Sequence, residues 1–336
     1  MKTTKTSLST NMKLTSVFFA LTCCAALAAT EEQLNKNFTV APGGTIVVDV
    51  DFGAIDVATN AGTEVTIDVW RKITRGKKAE EEEFLKSHPV IFAQDGNTIT
   101  VRSRYKEDKI RWFNWGGGNK NEAKYTISVP GQFNAKLATS GGPIAVGDLT
   151  GSVKADTSGG GLKFTRLHGP LNGETSGGGI RVADCEGEIQ IETSGGGIEV
   201  TGGGGSIHGE TSGGGVTVKD FRGPAHVETS GGGITIENIG GAIHGETSGG
   251  PIKAVLPSPI SGDIKLETTG GGITIKVPAD AAFNLDAETT GGSVSCELPI
   301  TIRGEKTRGE WKGTVNGGGP TVKLESTGGG IQVNKL

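Results

Sequence analysis

Beyond its first 28 residues the chain has no apolar run approaching the roughly 20 residues that a membrane-spanning helix requires, which excludes an integral helical span there. Positive charge is also in deficit. With Lys2, Lys5 and Lys13 removed from the 33 basic residues, 30 remain against 37 acidic ones. A net negative chain is poorly suited to a phosphate backbone, so nucleic acid is not an expected partner. Catalytic signatures are missing: there is no G-x-S-x-G, no H-E-x-x-H and no G-x-x-x-x-G-K-[ST]. The glycine runs have no cofactor context, so neither an enzyme nor a cofactor is expected. Cysteine is scarce, with Cys185 and Cys296 alone beyond residue 28.

The first residues read as an export signal. Lys2, Lys5 and Lys13 precede an apolar stretch from Val17 to Leu27, and Ala26-Leu27-Ala28 has the small-x-small cleavage pattern. Residues 1–28 are therefore expected to be a signal peptide, which implies export to the periplasm, cell envelope or cell surface. A lipid anchor would need a small residue before its cysteine, whereas Cys23 follows Thr22 and Cys24 follows Cys23.

Glycine is abundant, at 58 of 336 residues, and it is periodic. Thr-Ser-Gly-Gly recurs with its Thr at 139, 157, 175, 193, 211, 229 and 247, every interval being 18 residues. A constant period over seven copies is the mark of a solenoid, because one 18-residue unit cannot bury an apolar face alone. With each Thr numbered zero, apolar or small residues stand at −4 and −2, as in Ile189 and Ile191, and again at +5 and +7, as in Ile198 and Val200. Two strands per coil follow, with the Thr facing inward. The residue at +10 (Leu149, Leu167, Phe221, Ile239) adds an inward contact. Triple glycine at the corner is expected to supply positive φ angles, and the inward hydroxyls to pair with corner amides and with one another as a ladder. The spacing stretches to 21 residues at Thr268 and Thr289, and Ser326-Thr327-Gly328-Gly329-Gly330-Ile331 is expected to close the series. A calcium β-roll would place Asp among the turn glycines, and a left-handed hexapeptide helix would want an aliphatic residue every six positions; the sequence offers neither.

The expected fold is thus all-β: a parallel β-solenoid of two-sheet coils of 18–21 residues over 136–336, preceded by an N-terminal β region and cap over 29–135. Gly44 to Thr59 reads as a degenerate first coil. A short helix is expected at Lys77 to Ser87, stopped by Pro89, and a hairpin at Val90 to Arg102 turning through Asp95-Gly96-Asn97. Cys185 and Cys296 fall six coils apart, too far for a disulfide, and are expected as two buried free thiols.

Position −1 lies on the outer face and carries Asp156, Glu174, Glu192, Glu210, Glu228, Glu246, Glu267 and Glu288. Position −3 carries His208, His226 and His244 among its members. Imidazole beside carboxylate suits a transition metal, which makes His208, His226, His244, Glu210, Glu228 and Glu246 metal candidates. The competing reading is a solvated polar face, since parallel stacking points side chains one way instead of converging them on a tetrahedral centre. A repeated row also suits an extended polymer, with Glu174, Glu192, Glu210, Glu228 and Glu246 as contacts. Trp112 and Trp115, beside Phe113, could stack on sugar rings or cover an open solenoid end.

The early Gly44-Thr45-Ile46-Val47-Val48-Asp49-Val50, the Tyr125-Thr126-Ile127-Ser128-Val129-Pro130 segment, the Thr-Ser-Gly-Gly coils and the ending Val315-Asn316-Gly317-Gly318-Gly319-Pro320 together resemble the DUF4097 family of candidate bacterial adhesins. The resemblance implies a β-solenoid in an envelope or surface protein, with no catalytic residues to carry over. The expected function is a non-enzymatic, adhesin-like structural or binding module. Its expected partners are a polysaccharide or other envelope polymer, or further copies of itself. The alternative is a polysaccharide-active or metal-binding solenoid that uses the Glu and His rows.

Overall fold

A computed structural model describes residues 29–105 and 120–336. Two long sheets of 15 and 14 strands face each other across one continuous apolar core. In the 15-stranded sheet, here the threonine sheet, successive coils pair in parallel register: Thr157 opposes Thr175, Thr175 opposes Thr193, and the row continues to Thr229 and Thr247. The 14-stranded aliphatic sheet repeats this with Leu162, Ile180, Ile198, Val216 and Ile234 in line. Alternation of apolar and polar residues causes the arrangement, because side chains at i, i+2 and i+4 share one face of a strand. The whole threonine row from Thr139 to Thr289 is buried, as are Leu149, Leu167, Cys185, Phe221 and Ile239 at the second corner.

The buried hydroxyls accept from corner amides as expected, but their other partner is a glycine carbonyl of the neighbouring coil and not the next hydroxyl of a ladder. Thr193 Oγ1 donates to the Gly178 carbonyl of the preceding coil at 2.7 Å and accepts from its own corner amide, Gly196, at 3.3 Å. Thr175, Thr211, Thr229 and Thr247 repeat this bond pair. Each hydroxyl thus satisfies backbone on two coils, the requirement for a buried polar group.

The corner glycines also work for another reason than the expected positive φ. A Cβ on Gly178 would stand 2.1 Å from the Gly160 carbonyl oxygen, so close stacking of corners, and not dihedral freedom, demands glycine there. Positive φ is concentrated at the opposite corner, at Asp148, Arg166, Asp184, Asp220 and Asn238. Asp and Asn are enriched in that region because their short side chains tolerate it.

The middle coils follow sequence order; the ends do not. Thr98–Ser103 lies outside Gly44–Val50, which pairs with Phe133–Thr139. Across the core Lys120–Pro130 likewise lies outside Ala54–Asn60. At the far end Thr321–Ser326 sits between Ile264–Thr268 and Phe283–Thr289, and Ile331–Lys335 sits between Ile273–Val277 and Val294–Cys296. The Ser326 coil therefore does not close the stack; the Thr289 coil does. Insertion gives the last strands of the chain partners on both edges, where an outermost position would leave one edge open.

Antiparallel strands finish both ends. Glu64–Thr74 pairs with Lys120–Pro130 on one side and Thr30–Thr39 on the other. The expected hairpin is Ile91–Asp95 with Thr98–Ser103, and Glu310–Val315 pairs with Phe283–Thr289 and Ile300–Ile302. The expected helix spans Lys78–Ser87 and is the one helix among the described residues. Its Glu81 accepts hydrogen bonds from Thr30 N, Thr30 Oγ1 and Arg75 N, which tie the helix to the outer strands and hold the carboxyl below its ordinary range. Arg71, only 1% exposed, donates to Glu32 and to the carbonyl of His88, and lies 3.4 Å from Ser103 Oγ.

Cys185 and Cys296 are both free. The inserted Ser326 coil places them seven coils apart instead of six, about 34 Å at the usual strand spacing. Cys185 is buried as expected, but Cys296 is half-buried because its strand lies at the sheet edge. Burial pushes both thiols up from the ordinary cysteine value.

Candidate functional site: the outer face of the threonine sheet

In-register pairing places the −1 residues in one outward column. Asp156, Glu174, Glu192, Glu210, Glu228, Glu246 and Glu267 oppose one another in succession. Glu325 then intervenes before Glu288, and Glu310 opposes Glu288 from the far side. Asp49 occupies the equivalent position in the first coil, where Arg104 pairs with both Asp49 and Asp51. The sequence reading missed Asp49, Glu325 and Lys323. Their signal was present, since counting −1 and −3 from Val50 and Ser326 finds all three.

Stacked carboxylates at strand spacing repel by roughly 1 kcal/mol per pair in water and several-fold more near a protein surface. The −3 column relieves part of this. His226 Nε2 stands 2.7 Å from Glu228 Oε1, Lys265 Nζ 2.8 Å from Glu267, and Lys323 Nζ 2.7 Å from Glu325. Hydrogen bonds with Glu267 and Lys323 hold the Glu325 carboxyl below its ordinary range. Asp156 is pushed up, mainly by burial, with Lys154 opposing and Glu174 adding to the rise. Glu174, Glu192 and Glu210 make no ion pair among the described residues, and their −3 neighbours are Asn172, Gln190 and His208. Beside this stretch runs a row of serine hydroxyls, Ser158, Ser176 and Ser194, which with Asp156, Glu174 and Glu192 line a shallow cavity of about 320 Å³ that Arg104 also borders.

The three histidines lie together. The rings of His208 and His226 are 4.8 Å apart edge to face, and those of His226 and His244 are 4.4 Å apart. Donor atoms of His226, Glu228 and His244 all fall within 4.8 Å of one another. Tilted imidazoles reach along the stack, so neighbouring coils share one locus. Glu210 and His208 are not part of this group, while Glu246 joins a second group with His244 and Glu267. Trp112 and Trp115 lie outside the described residues.

A two-sheet solenoid with repeated polar columns is the class of protein this geometry defines. Within it, the chain belongs to the Toastrack DUF4097 family, whose profile matches residues 45–334. No curated protein matches the chain. Solved structures similar to it include a candidate adhesin from Bacteroides fragilis, 13% identical, with 91% of this chain and 97% of that one covered and a TM-score of 0.32. A candidate adhesin from Parabacteroides distasonis is 12% identical over 91% and 97%, with a TM-score of 0.39. A candidate cell adhesion protein from Clostridium sporogenes is 12% identical over 91% and 100%, with a TM-score of 0.19. At such scores these likenesses carry no argument about function. No helix among the described residues is long and apolar enough to cross a membrane.

Proposed function

We propose that this chain is an exported, non-catalytic, adhesin-like binding module of the bacterial envelope or surface. Its acidic outer column makes weak, multivalent contact with a repetitive polymer such as a polysaccharide, or with further copies of the chain. The observation that carries this reading is the unpaired run Glu174, Glu192 and Glu210 in register, of which Glu174 and Glu192 share a cavity with Ser158, Ser176 and Ser194. Carboxylates free of ion pairs can accept hydrogen bonds from polymer hydroxyls, and the serines can donate or accept. One such set recurs about every 4.8 Å, which favours avidity over tight capture of one small molecule. Apart from the Thr139 coil, which has Ala138 there, each coil offers a carboxylate at this position, so none is singled out as an acid or base, and no substrate turnover is expected. Trp112 and Trp115 are further candidate contacts for sugar rings.

The test compares the mature protein with a rod lacking Glu192–Gly209 and Glu210–Val227, two whole coils. After a glycan array identifies the polymer, the shortened rod is expected to fold and to bind that polymer more weakly. Unchanged binding would place the contact elsewhere and contradict the proposal. Subcellular fractionation tests the export expected from residues 1–28, and recovery of the protein in the cytoplasm would overturn it.

A further inference from the structure

We propose that His226, Glu228 and His244 form an open site for one divalent transition-metal cation of the zinc type, independent of polymer binding. One donor atom from each of the three lies within 4.8 Å of the others, and His226 Nε2 is already 2.7 Å from Glu228 Oε1. Tetrahedral zinc, with metal to ligand bonds of roughly 2.0–2.1 Å, places its donors about 3.3 Å apart. Reaching that spacing asks only for side-chain rotation that opens the 2.7 Å pair and draws in the His244 donor, since His226 and Glu228 share one strand and His244 lies opposite His226 on the next. Two imidazoles and one carboxylate are a borderline-soft set that suits Zn²⁺ and excludes Ca²⁺ and Mg²⁺, which want oxygen alone.

Specificity within the column follows from the neighbours. The second group, His244, Glu246 and Glu267, shares His244 with the first, so the two cannot fill together, and Lys265 Nζ already occupies Glu267 at 2.8 Å. His208 presents its ring edge-on to His226, and no ion pair joins it to Glu210 among the described residues. The three ligands are half-exposed, and His226 and His244 border a groove that Pro224, Ala225 and Ala242 also line, which leaves a coordination position open to water or to an incoming ligand. An open position of this kind allows the cation to bridge to a donor on a partner.

Calorimetric titration of the mature protein with Zn²⁺ tests the site. One ion per chain is expected, undisturbed by excess Ca²⁺. The substitutions His226→Gln and His244→Gln are expected to leave the fold intact, since Gln190 occupies the same position one coil before His208. Loss of a supporting contact to a metal ligand lowers affinity 10- to 100-fold, so loss of either ligand should weaken binding by at least about tenfold. His208→Gln should change it less than about threefold, a bound set by its place outside the donor group. Absence of Zn²⁺ binding, displacement by Ca²⁺, or equal effects of all three substitutions would overturn the proposal. Circular dichroism of each variant separates loss of ligand from loss of fold, and a folded His226→Gln variant that binds normally overturns it as well.

Discussion

The middle coils and the two end regions solve the same packing problem by opposite means. From Thr139 to Val255 each coil rests on the one before it in sequence, and the same Thr to glycine bond pair recurs between coils. At the ends the order is inverted: at each end one coil lies outside its sequence neighbour and antiparallel strands are added, with the buried Arg71 and Glu81 at the N-terminal end, while Ser326 and Thr289 at the C-terminal end keep hydroxyl bonds to the Gly271 and Gly329 carbonyls. Repetition makes the middle modular, because each interface is local. Inversion makes the ends cooperative, because an outer coil depends on a segment remote in sequence. The expectation is therefore a body that tolerates changes of length between ends that resist fraying.

Truncation after Gly319 should have the largest effect and would break the comparison most sharply. It removes the buried Val322, Leu324, Ile331 and Val333, on the order of 8 kcal/mol at about 2 kcal/mol each. It also strips the Thr289 coil of its parallel partners. We expect that outer coil to become protease-sensitive, whereas deletion of the single coil Glu192–Gly209 should leave a folded rod with a modest change in melting temperature. Equal effects of the two deletions would contradict the distinction.

The corner stack comes next. Gly178→Ala forces a Cβ against the Gly160 carbonyl and should destabilise by about 3 kcal/mol or more, in the range of backbone strain and overpacking. At Gly209, on the inward face of the threonine sheet, a Cβ would meet Val227 at 3.6 Å, ordinary contact. Gly209→Ala should therefore be neutral or stabilising by up to about 1 kcal/mol. Denaturant titration of both variants checks the pair. Arg71→Met in the N-terminal cap should cost about 3 kcal/mol by leaving Glu32 and the His88 carbonyl without their partner. In the middle, Thr193→Val leaves the Gly178 carbonyl and Gly196 amide unpaired and should cost about 1–3 kcal/mol.

Periodicity made the body of the fold readable, and it failed where the chain departs from nearest-neighbour stacking. The buried row from Thr139 to Thr289, the second-corner residues and the helix at Lys78–Ser87 all follow from offsets and local propensity. Insertion of Thr321–Ser326 does not, because its offsets match those of any other coil and nothing local specifies which neighbour it chooses. The corner glycines were legible as necessary, but the cause lies in contacts between coils that sequence does not display. For the outer face, the acidic column could be counted from the repeat. The convergence of His226 with His244 could not, since it depends on ring tilt.

The smallest expected effect is a pH dependence confined to the N-terminal cap. Burial lowers the His88 value below 6.5, outweighing the Phe84 carbonyl and Asp51, with Arg71 adding to the fall. A folded-state value below the unfolded one means that the unfolded chain binds the proton first. Stability should fall as pH drops below about 6.5 and level off beneath the lowered value. His88→Phe should reduce that component of the melting curve between those limits while leaving the middle coils unaffected; an unchanged curve would contradict the assignment.

The inverted C-terminal order is tested most directly by paired cysteines on the exposed face. Lys265 opposes Lys323 in the structure, whereas Asp286 opposes Lys323 from its other side and is two strands from Lys265. Adjacent strands stand about 4.8 Å apart, within disulfide reach, and alternate strands about 9.6 Å apart, beyond the roughly 7 Å limit. Under mild oxidation, Lys265→Cys with Lys323→Cys should form an intramolecular disulfide identifiable by peptide mass mapping, and Lys265→Cys with Asp286→Cys should not. The reverse pattern, with 265 bridging to 286 and not to 323, would show that the coils stack in sequence order and would contradict the account.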